Sequence, residues 1–153
     1  MKKMNLVIST MMIAAFLCSH AYGADERADI EKVIKASYFN GAFNDLDTDS
    51  MRKGFHPDFA IFSATGNELS RYPIDVWIKG IEKGKERPDF DKAQAKMDCK
   101  MISLDITGTC AAAKIEISQN GTMVYTDYLS LLKFDDGWKI AAKVYYAHPN
   151  REH

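Results

Sequence analysis

Residues 109–147, TCAAAKIEISQNGTMVYTDYLSLLKFDDGWKIAAKVYYA, decide the fold. Apolar and polar side chains alternate here, most clearly over Ala113–Ile117, and this is the period of a half-buried β-strand. The dipeptides Asn120-Gly121 and Asp136-Gly137 interrupt the alternation, and Thr107-Gly108 precedes it. Such dipeptides are typical of tight hairpin turns. We therefore predict a four-stranded meander with strands at 92–106, 109–118, 122–134 and 138–147.

Three helices and a pair of strands are predicted before the meander. Asp29 is the expected N-cap of a first helix whose apolar face runs from Ile30 to Gly41. Asp47 or Thr48 is the expected cap of a short second helix that ends at Gly54.

The third helix has the clearest pattern. Four apolar residues recur at i, i+3, i+4 and i+7: Ile74, Trp77, Ile78 and Ile81. Pro73 suits the first turn of this helix, and Gly84 ends it. Before it, Phe59–Ala64 and Glu68–Arg71 are predicted strands joined by a turn at Thr65-Gly66-Asn67.

This order of elements predicts an α+β fold, because helices on one face of an antiparallel sheet form one core. We expect a curved antiparallel sheet wrapped around the N-terminal helices, which makes a cone with an apolar mouth. Mouths of this kind often bind small molecules. No repeat, linker or low-complexity tract divides residues 24–153, so we predict a single domain there.

Residues 1–23 have the three parts of a secretory signal peptide. A lysine pair stands near the start, an apolar run covers Leu6–Cys18, and small residues occupy two places in Ala21-Tyr22-Gly23. The apolar run is shorter than the roughly 20 residues that span a bilayer. We predict cleavage before Ala24 and a periplasmic or secreted domain without membrane attachment.

Composition and motifs exclude several classes of function. The chain has 153 residues, 46% of them apolar, with 20 basic and 21 acidic residues. These values argue against disorder and against a basic nucleic-acid interface. The sequence lacks closely spaced His and Cys ligand motifs, a Gly-x-Ser-x-Gly elbow and a glycine-rich phosphate loop. We therefore predict no metal and no cofactor.

Four segments carry a resemblance to a known superfamily. They are Tyr38-Phe39-Asn40-Gly41, Phe55-His56-Pro57-Asp58, Tyr125 to Leu132, and Gly137-Trp138-Lys139-Ile140 followed by Lys143-Val144. With the order of elements, these segments resemble the nuclear transport factor 2-like superfamily, and especially its branch named putative lumazine-binding. The resemblance implies a cone-shaped α+β barrel, a dimer through the outer face of the sheet, and a pocket between helices and sheet.

Nine residues are candidates for the wall of that pocket: Tyr38, His56, Phe62, Ser63, Trp77, Tyr128, Ser130, Ala142 and Tyr146. A small apolar or aromatic ligand is the expected occupant. Tyr38 is either a core aromatic or a hydrogen-bond donor to the ligand. His56 is either a proton carrier or part of a turn, and Trp77 either fills the core or stacks on a flat ligand.

The resemblance also bears on ketosteroid isomerases of the same superfamily. The resemblance implies that, in those enzymes, a tyrosine of the first helix works together with two carboxyl groups. Alignment places Ser63 and Ser130 at the carboxyl positions, and a serine does not act as a carboxylate base. We therefore expect no ketosteroid-type isomerase activity.

Strand parity predicts where two charged residues lie. Alternate residues of a strand point to opposite faces of the sheet. Asp127 is therefore expected on the face opposite to Thr126, Tyr128 and Ser130, which we expect to face the pocket. Lys143 likewise has the parity opposite to the apolar residues of the last strand. The expectation is an outward Asp–Lys pair on neighbouring strands.

Cysteine spacing predicts no disulfide. A turn at Thr107-Gly108 places Cys99 opposite Glu116 and Cys110 opposite Asp105. That register separates the two thiols far beyond the Cα distance of about 4.4–6.8 Å that a disulfide requires.

The outer face of the meander is the expected homodimer interface. Tyr125, Leu129 and Leu131 are the apolar residues assigned to it, and an exposed apolar patch marks an interaction surface.

Three functions remain open on the sequence. The favoured one is an exported, non-catalytic small-molecule-binding domain. The alternatives are a small lyase, isomerase or cyclase that uses the same pocket, and a structural domain that binds a protein partner. Fold alone does not decide among them.

Overall fold

A computed structural model describes residues 25–149, apart from 89 and 91–95. The predicted signal segment at residues 1–23 lies outside the described residues, and so does the predicted strand start at 92. Within the described part of the chain, no helix is long and apolar enough to cross a membrane.

The described residues form three helices. Helix α1 is α-helical over residues 25–33 and continues as a π-helix over Ile34–Asn44. Helix α2 covers Thr48–Gly54 and helix α3 covers Ile74–Lys85. Asp47 caps α2 as predicted, since its carboxylate accepts the backbone amides of Asp49 and Ser50.

Helix α1 starts earlier than predicted. Asp29 lies inside the helix, which is already formed at residue 25, so the prediction of Asp29 as the N-cap is wrong. Hydrogen bonds from this first turn to residues of the sheet stabilise it. Glu26 is buried and accepts a hydrogen bond from Trp138 Nε1 at 2.5 Å, and Arg27 donates to the carbonyl of Leu104 at 2.9 Å.

In the part of the chain that the structure describes, six strands form one open sheet. They are β1 Phe55–Thr65, β2 Glu68–Pro73, β3 Met97–Thr107, β4 Cys110–Gln119, β5 Thr122–Phe134 and β6 Gly137–Ala147. Their order across the sheet is β2-β1-β6-β5-β4-β3. The predicted meander and the β1–β2 hairpin are confirmed. The sheet is not wholly antiparallel, because β1 pairs with β6 in parallel.

The turns set the register of the sheet. Asn120 and Gly121 both have positive φ, 51° and 78°, as a type I′ turn requires, and Gln119 pairs with Thr122. In the preceding hairpin Thr107 pairs with Cys110, so the turn residues are 108 and 109 rather than Thr107-Gly108.

The shifted turn corrects the expected cysteine register. Cys99 pairs with Ile117 and Cys110 with Thr107, not with Glu116 and Asp105. Ile117 and Cys110 lie seven positions apart on β4, or about 23 Å at about 3.3 Å per residue. Both cysteines are free thiols.

A bulge in β6 changes which residues face the helices. Leu131 pairs with Ile140, whereas the preceding residue of β5, Ser130, pairs with Ala142. The unpaired residue between them reverses the parity of the strand. Ile140 and Lys143 therefore both face inward, and the predicted outward direction of Lys143 is wrong.

The core lies between α1 and the inner face of the sheet. Leu129 and Leu131 are each 1% exposed there, so the prediction that they form the outer face is wrong. Tyr125 lies on the same inner side and packs against the core. The apolar residues of the outer face are instead Tyr128, Leu132, Val144 and Tyr146, which are all at least 41% exposed.

Candidate functional site

Three polar side chains meet on the inner face of the sheet. Lys143 Nζ lies 2.9 Å from the hydroxyl of Tyr38 and 3.2 Å from Oδ2 of Asp127. Tyr38 in turn donates a hydrogen bond to the same carboxylate oxygen. Tyr38 and Asp127 are fully buried, and Lys143 is 6% exposed. We call these three residues the Lys143 cluster.

The π-helical half of α1 presents Tyr38 to the sheet. The amide of Asp45 bonds the carbonyl of Asn40 at 2.7 Å, five residues back, which is the spacing of a π-helix. Tyr38 and Phe43 lie on this segment and pack edge to face, with ring centroids 5.2 Å apart. π-Helical turns are rare and often occur at functional sites.

The sheet supplies the charged pair. Asp127 pairs with Tyr145 across β5 and β6, and Lys143 pairs with Leu129. The two charged residues are therefore diagonal neighbours on one face, within reach of each other. The predicted outward direction of Asp127 is wrong, because its carboxylate meets Tyr38 of α1 from the inner side.

Burial controls the ionisation of the cluster. The pKa of Lys143 is lowered, because loss of solvent disfavours the ammonium form more than the nearby Asp127 favours it. The pKa of Tyr38 is raised well above its ordinary value, first by burial and then by the charge of Asp127. Tyr38 is therefore a neutral hydroxyl at physiological pH.

One oxygen of the cluster has no hydrogen bond. Oδ1 of Asp127 is buried and lacks a partner among the described residues. A buried charge that lacks some of its hydrogen-bond partners costs free energy. An unpaired buried polar atom in a native protein therefore often has a functional explanation rather than a stabilising one. The cluster is thus a poor arrangement for stability alone.

Aromatic rings surround the amine of Lys143. Nζ lies 5.3 Å from the ring centroid of Tyr38, 5.9 Å from Phe43, 5.6 Å from Trp77 and 5.1 Å from Tyr145. Rings at these distances attract a cation.

Lys143 lines a cavity of about 320 Å³ between the helices and the sheet. The other lining residues are Phe43, Ile61, Ser63, Tyr72, Trp77, Tyr125 and Tyr145. Tyr72 and Tyr145 are 42% and 40% exposed, so they mark its opening. The cavity joins an aromatic wall to one amine, one serine hydroxyl and several phenols.

The nine predicted pocket residues divide between two faces of the sheet. Ser63 and Trp77 line this cavity, and Tyr38 contacts it through Lys143. The remaining sheet residues have the opposite parity and lie on the outer face: Phe62, Tyr128, Ser130, Ala142 and Tyr146. Their expected inward direction is wrong.

His56 lies apart from the cavity. Its ring stacks on Phe134 with centroids 4.8 Å apart, and its Nδ1 accepts the amide of Asp58 at 3.1 Å. It borders a separate groove of about 420 Å³ beside α2 and α3. These contacts are those of a turn residue at a strand entrance.

A further cavity of about 460 Å³ lies between α1 and β3. Cys99 is part of its lining, together with Phe39, Asn40 and Met101. Burial raises the pKa of the Cys99 thiol to about 12. This thiol is therefore not a nucleophile near neutral pH. Among the described residues, no group of three His, Cys, Asp or Glu is placed to hold a metal ion.

Sequence reasoning missed Asp127 and Lys143 as site residues. The available signal was that each charge interrupts an apolar run: Asp127 has the parity of Leu129 and Leu131, and Lys143 follows two alanines. Strict alternation placed Lys143 outward, because the bulge that reverses it has no signature in the sequence beyond that alanine pair.

The chemistry open to the site follows from these groups. A ligand oxygen near Lys143 would accept hydrogen bonds from the amine. Tyr38, bonded to both charged groups, can pass a proton between the amine and a ligand atom beside it. Such an arrangement suits a carbonyl group, whose oxygen gains negative charge when a neighbouring proton leaves.

Comparison with known proteins agrees with the fold. Aldolase FrzH from a Cladobotryum species is 26% identical over 124 residues, covering 80% of this chain and 94% of that protein. An NTF2-like protein of unknown function from Shewanella baltica superposes with a TM-score of 0.65 at 26% identity, over 83% of this chain and 97% of that one.

A second NTF2-like protein of unknown function, from Methylobacillus flagellatus, superposes with a TM-score of 0.60 at 27% identity. The alignment covers 82% of this chain and 94% of that one. The model of the family described as putative lumazine-binding matches residues 25–146. This chain therefore belongs to the putative lumazine-binding family, within the nuclear transport factor 2-like superfamily.

Proposed function

We propose that this protein is an enzyme that binds a small carbonyl compound and makes or breaks a carbon–carbon bond beside the carbonyl, as an aldolase does. One observation carries the proposal: the nearly buried amine of Lys143 lines an aromatic cavity while it bonds Tyr38 and Asp127. The similarity to an aldolase, which extends over 94% of that protein, supports the same class of reaction.

The shape of the cavity limits the substrate. Its volume of about 320 Å³ lies at the lower end of the range of about 300–1,000 Å³ for ligand sites. Trp77, Phe43 and Tyr125 supply flat apolar walls, which suit an aromatic or otherwise planar molecule. The carbonyl oxygen of such a ligand would point to Lys143, where it meets a hydrogen-bond donor.

Each residue of the Lys143 cluster has a role in this proposal. Lys143 binds the carbonyl and stabilises the enol form that precedes bond formation or follows bond cleavage. Tyr38 moves a proton to or from the reacting atoms. Of the three residues only Lys143 lines the cavity, and Asp127 positions the other two groups through hydrogen bonds.

Reversible binding without reaction is the second candidate function. Ser63 is the observation that favours it, because this cavity residue offers a neutral hydroxyl, and no carboxylate is among the described residues that line the cavity to act as a base. The family description names lumazine, a flat ring system with two carbonyl groups, and a ligand of that shape fits between aromatic walls.

The experiment that separates the two candidates measures retro-aldol turnover and binding together. Cleavage of 4-hydroxy-4-phenylbutan-2-one releases benzaldehyde, and quenching of lumazine fluorescence reports binding. We expect turnover in the wild type and in a Lys114→Met control, which removes a lysine paired with Glu116, and none in Lys143→Met. Lumazine binding without turnover would support the binding function and contradict the enzyme.

We also propose that the protein is a homodimer through its outer sheet face. Tyr128, Leu132, Val144 and Tyr146 are 50%, 41%, 51% and 58% exposed. An apolar surface of this kind on one face of a sheet is suited to burial against a second copy. Val144→Glu should give monomers in sedimentation, and a monomeric wild type at micromolar concentration would refute the dimer.

We further propose that the domain is exported. The pattern of residues 1–23 supports this, with a basic start, an apolar run and small residues before Ala24. Intact-mass analysis of the exported fraction should give a chain that begins at Ala24. A chain that keeps residues 1–23 and stays with the membrane would contradict export.

A further inference from the structure

We propose that Lys143 is a covalent nucleophile whose amine forms an imine with the carbonyl carbon of the ligand. This inference rests on the proposed function, since it requires a carbonyl compound in the cavity. It goes further by assigning the bond that joins the ligand to the protein. No other lysine of the described chain lines this cavity.

The surroundings of Lys143 meet the first requirement for imine formation, an amine that is free of its proton often enough to attack. Lysines become nucleophiles when they are desolvated in an apolar pocket. Lys143 is 6% exposed and has four aromatic rings within 6 Å of Nζ. Its pKa is lowered by that burial, even with Asp127 beside it.

Tyr38 meets the second requirement, a group that moves a proton from nitrogen to oxygen. The nitrogen lone pair attacks the carbonyl carbon, the carbon–oxygen π bond breaks, and the nitrogen becomes cationic. The hydroxyl of Tyr38 lies 2.9 Å from Nζ, so it accepts the nitrogen proton as its own proton, which it donates to Asp127 before the reaction, passes to the ligand oxygen. The carbinolamine hydroxyl then takes up the proton that the ammonium of Lys143 had released and leaves as water, so that the ammonium and the ketone together give the iminium ion and water.

Asp127 meets the third requirement, a counter-charge for the product. Protonated imine carries the same positive charge that the ammonium carried. The carboxylate of Asp127 lies 3.2 Å from Nζ, so it stabilises the iminium ion at the position of the former ammonium. In aldol chemistry that iminium withdraws electrons from the neighbouring carbon, and a proton or a carbon–carbon bond at that carbon can then break.

The matched control is Lys139, on the same strand as Lys143. Its side chain is 18% exposed, and its amine pairs with Asp136 at 3.0 Å and donates to the carbonyl of Lys53 at 2.8 Å. No aromatic cage surrounds it among the described contacts. Lys139 therefore tests whether burial and a neighbouring tyrosine, rather than the presence of a lysine on β6, create the reactivity.

The test uses acetylacetone, a small diketone that forms an imine with a free amine and then rearranges to a stable enaminone. The purified protein should gain the mass of one diketone less one water, and peptide mapping should place it on Lys143. Lys139→Met should label like the wild type. Tyr38→Phe should label more slowly, by about 10²-fold, because the proton relay is gone.

Two variants keep the test valid if one fails to fold. Lys143→Met leaves Asp127 without its partner, whereas Lys143→Met with Asp127→Asn removes both charges. Neither should label. An adduct at other lysines only, or an unlabelled Lys143 in folded wild type, would overturn the imine.

The retro-aldol assay distinguishes this failure from that of the proposed function. Turnover without an adduct at Lys143 would contradict the formation of an imine and would still support the proposed enzymatic function. An adduct at Lys143 without turnover would support the imine and contradict the carbon–carbon bond chemistry.

Discussion

Asp127 on β5 and Lys143 on β6 form an ion pair of 3.2 Å inside the core, where both face the hydroxyl of Tyr38. Neither charge reaches bulk water to any large extent, since their side chains are 0% and 6% exposed. The pair exists because a bulge in β6 brings Lys143 to the inner face. The same bulge gives the cavity its amine.

Removing one member of this pair should destabilise the protein more than removing both. Lys143→Met leaves a buried, unpaired carboxylate, and Asp127→Asn leaves a buried, unpaired ammonium. Each should lower the free energy of unfolding by about 3–5 kcal/mol. The double variant should recover much of that loss, because it leaves no buried charge. Urea unfolding of the four proteins measures the coupling.

Additive losses would contradict that prediction, because they would mean that the two charges do not interact in the folded protein. Lys79→Met is the surface control. Its amine lies 3.5 Å from Asp75 in an exposed i,i+4 pair, which should contribute about 0.3–0.5 kcal/mol.

Tyr38→Phe should change the pH dependence of stability at high pH. The pKa of Tyr38 in the folded protein lies above its ordinary value of 10.0. The unfolded chain therefore loses the proton first, so stability present below pH 10.0 falls as pH rises toward the folded-state pKa. The wild type should lose up to about 1.4 kcal/mol per pH unit relative to Tyr38→Phe.

Unfolding of both proteins by urea at several pH values above 10 measures this difference. Parallel curves would contradict a raised pKa at Tyr38. The remaining tyrosines are common to both proteins, so their ionisation cancels in the comparison.

Most of the fold was predictable because turn chemistry and helical periodicity are local. Asn120 and Gly121 carry the positive φ angles of the predicted hairpin, and Ile74 and Ile78 are buried on the predicted face of α3. The parallel pairing of β1 with β6 joins strands far apart in the chain. No local pattern encodes that pairing.

The site was only partly predictable, because it depends on which face of the sheet each residue points to along a whole strand. Helical periodicity identifies Tyr38 and Trp77; Trp77 lines the cavity, and Tyr38 contacts it through Lys143. Strict alternation puts Lys143 on the wrong face, because one unpaired residue of β6 between Ile140 and Ala142 reverses the alternation. A single bulge changes the face of every later residue in a strand.

Cys99 and Cys110 should differ strongly in reactivity toward a thiol reagent. Cys110 is exposed, whereas Cys99 is half-buried and its pKa is raised to about 12. Since only the thiolate reacts, Cys99 should be nearly inert near pH 8. Alkylation followed by peptide mapping should find Cys110 modified first and Cys99 modified only in denaturant.

Equal rates in the native protein would contradict the burial of Cys99. A protein with neither thiol free under denaturing, non-reducing conditions would contradict the register of β3 and β4, which places them far apart.

Gly54 should tolerate no side chain, because α2 ends against α1. A Cβ at Gly54 would lie 2.0 Å from the hydroxyl oxygen of Ser37. Gly54→Ala should therefore cost about 1–3 kcal/mol through overpacking. Gly84→Ala is the control, since its added Cβ meets nothing within 4 Å and should stabilise by up to about 1 kcal/mol. Thermal unfolding should separate the two variants in opposite directions, and equal melting temperatures would contradict the close helix contact.

The measurement that tests the central claim most directly is proton exchange beside a carbonyl. In D₂O, NMR follows the loss of the protons next to the carbonyl of 4-phenylbutan-2-one, a ketone whose ring suits the aromatic cavity. The account predicts that the wild type exchanges them at least about 10²-fold faster than the folded Lys143→Met/Asp127→Asn variant. Equal exchange rates for the two proteins would contradict a carbonyl-activating site at Lys143.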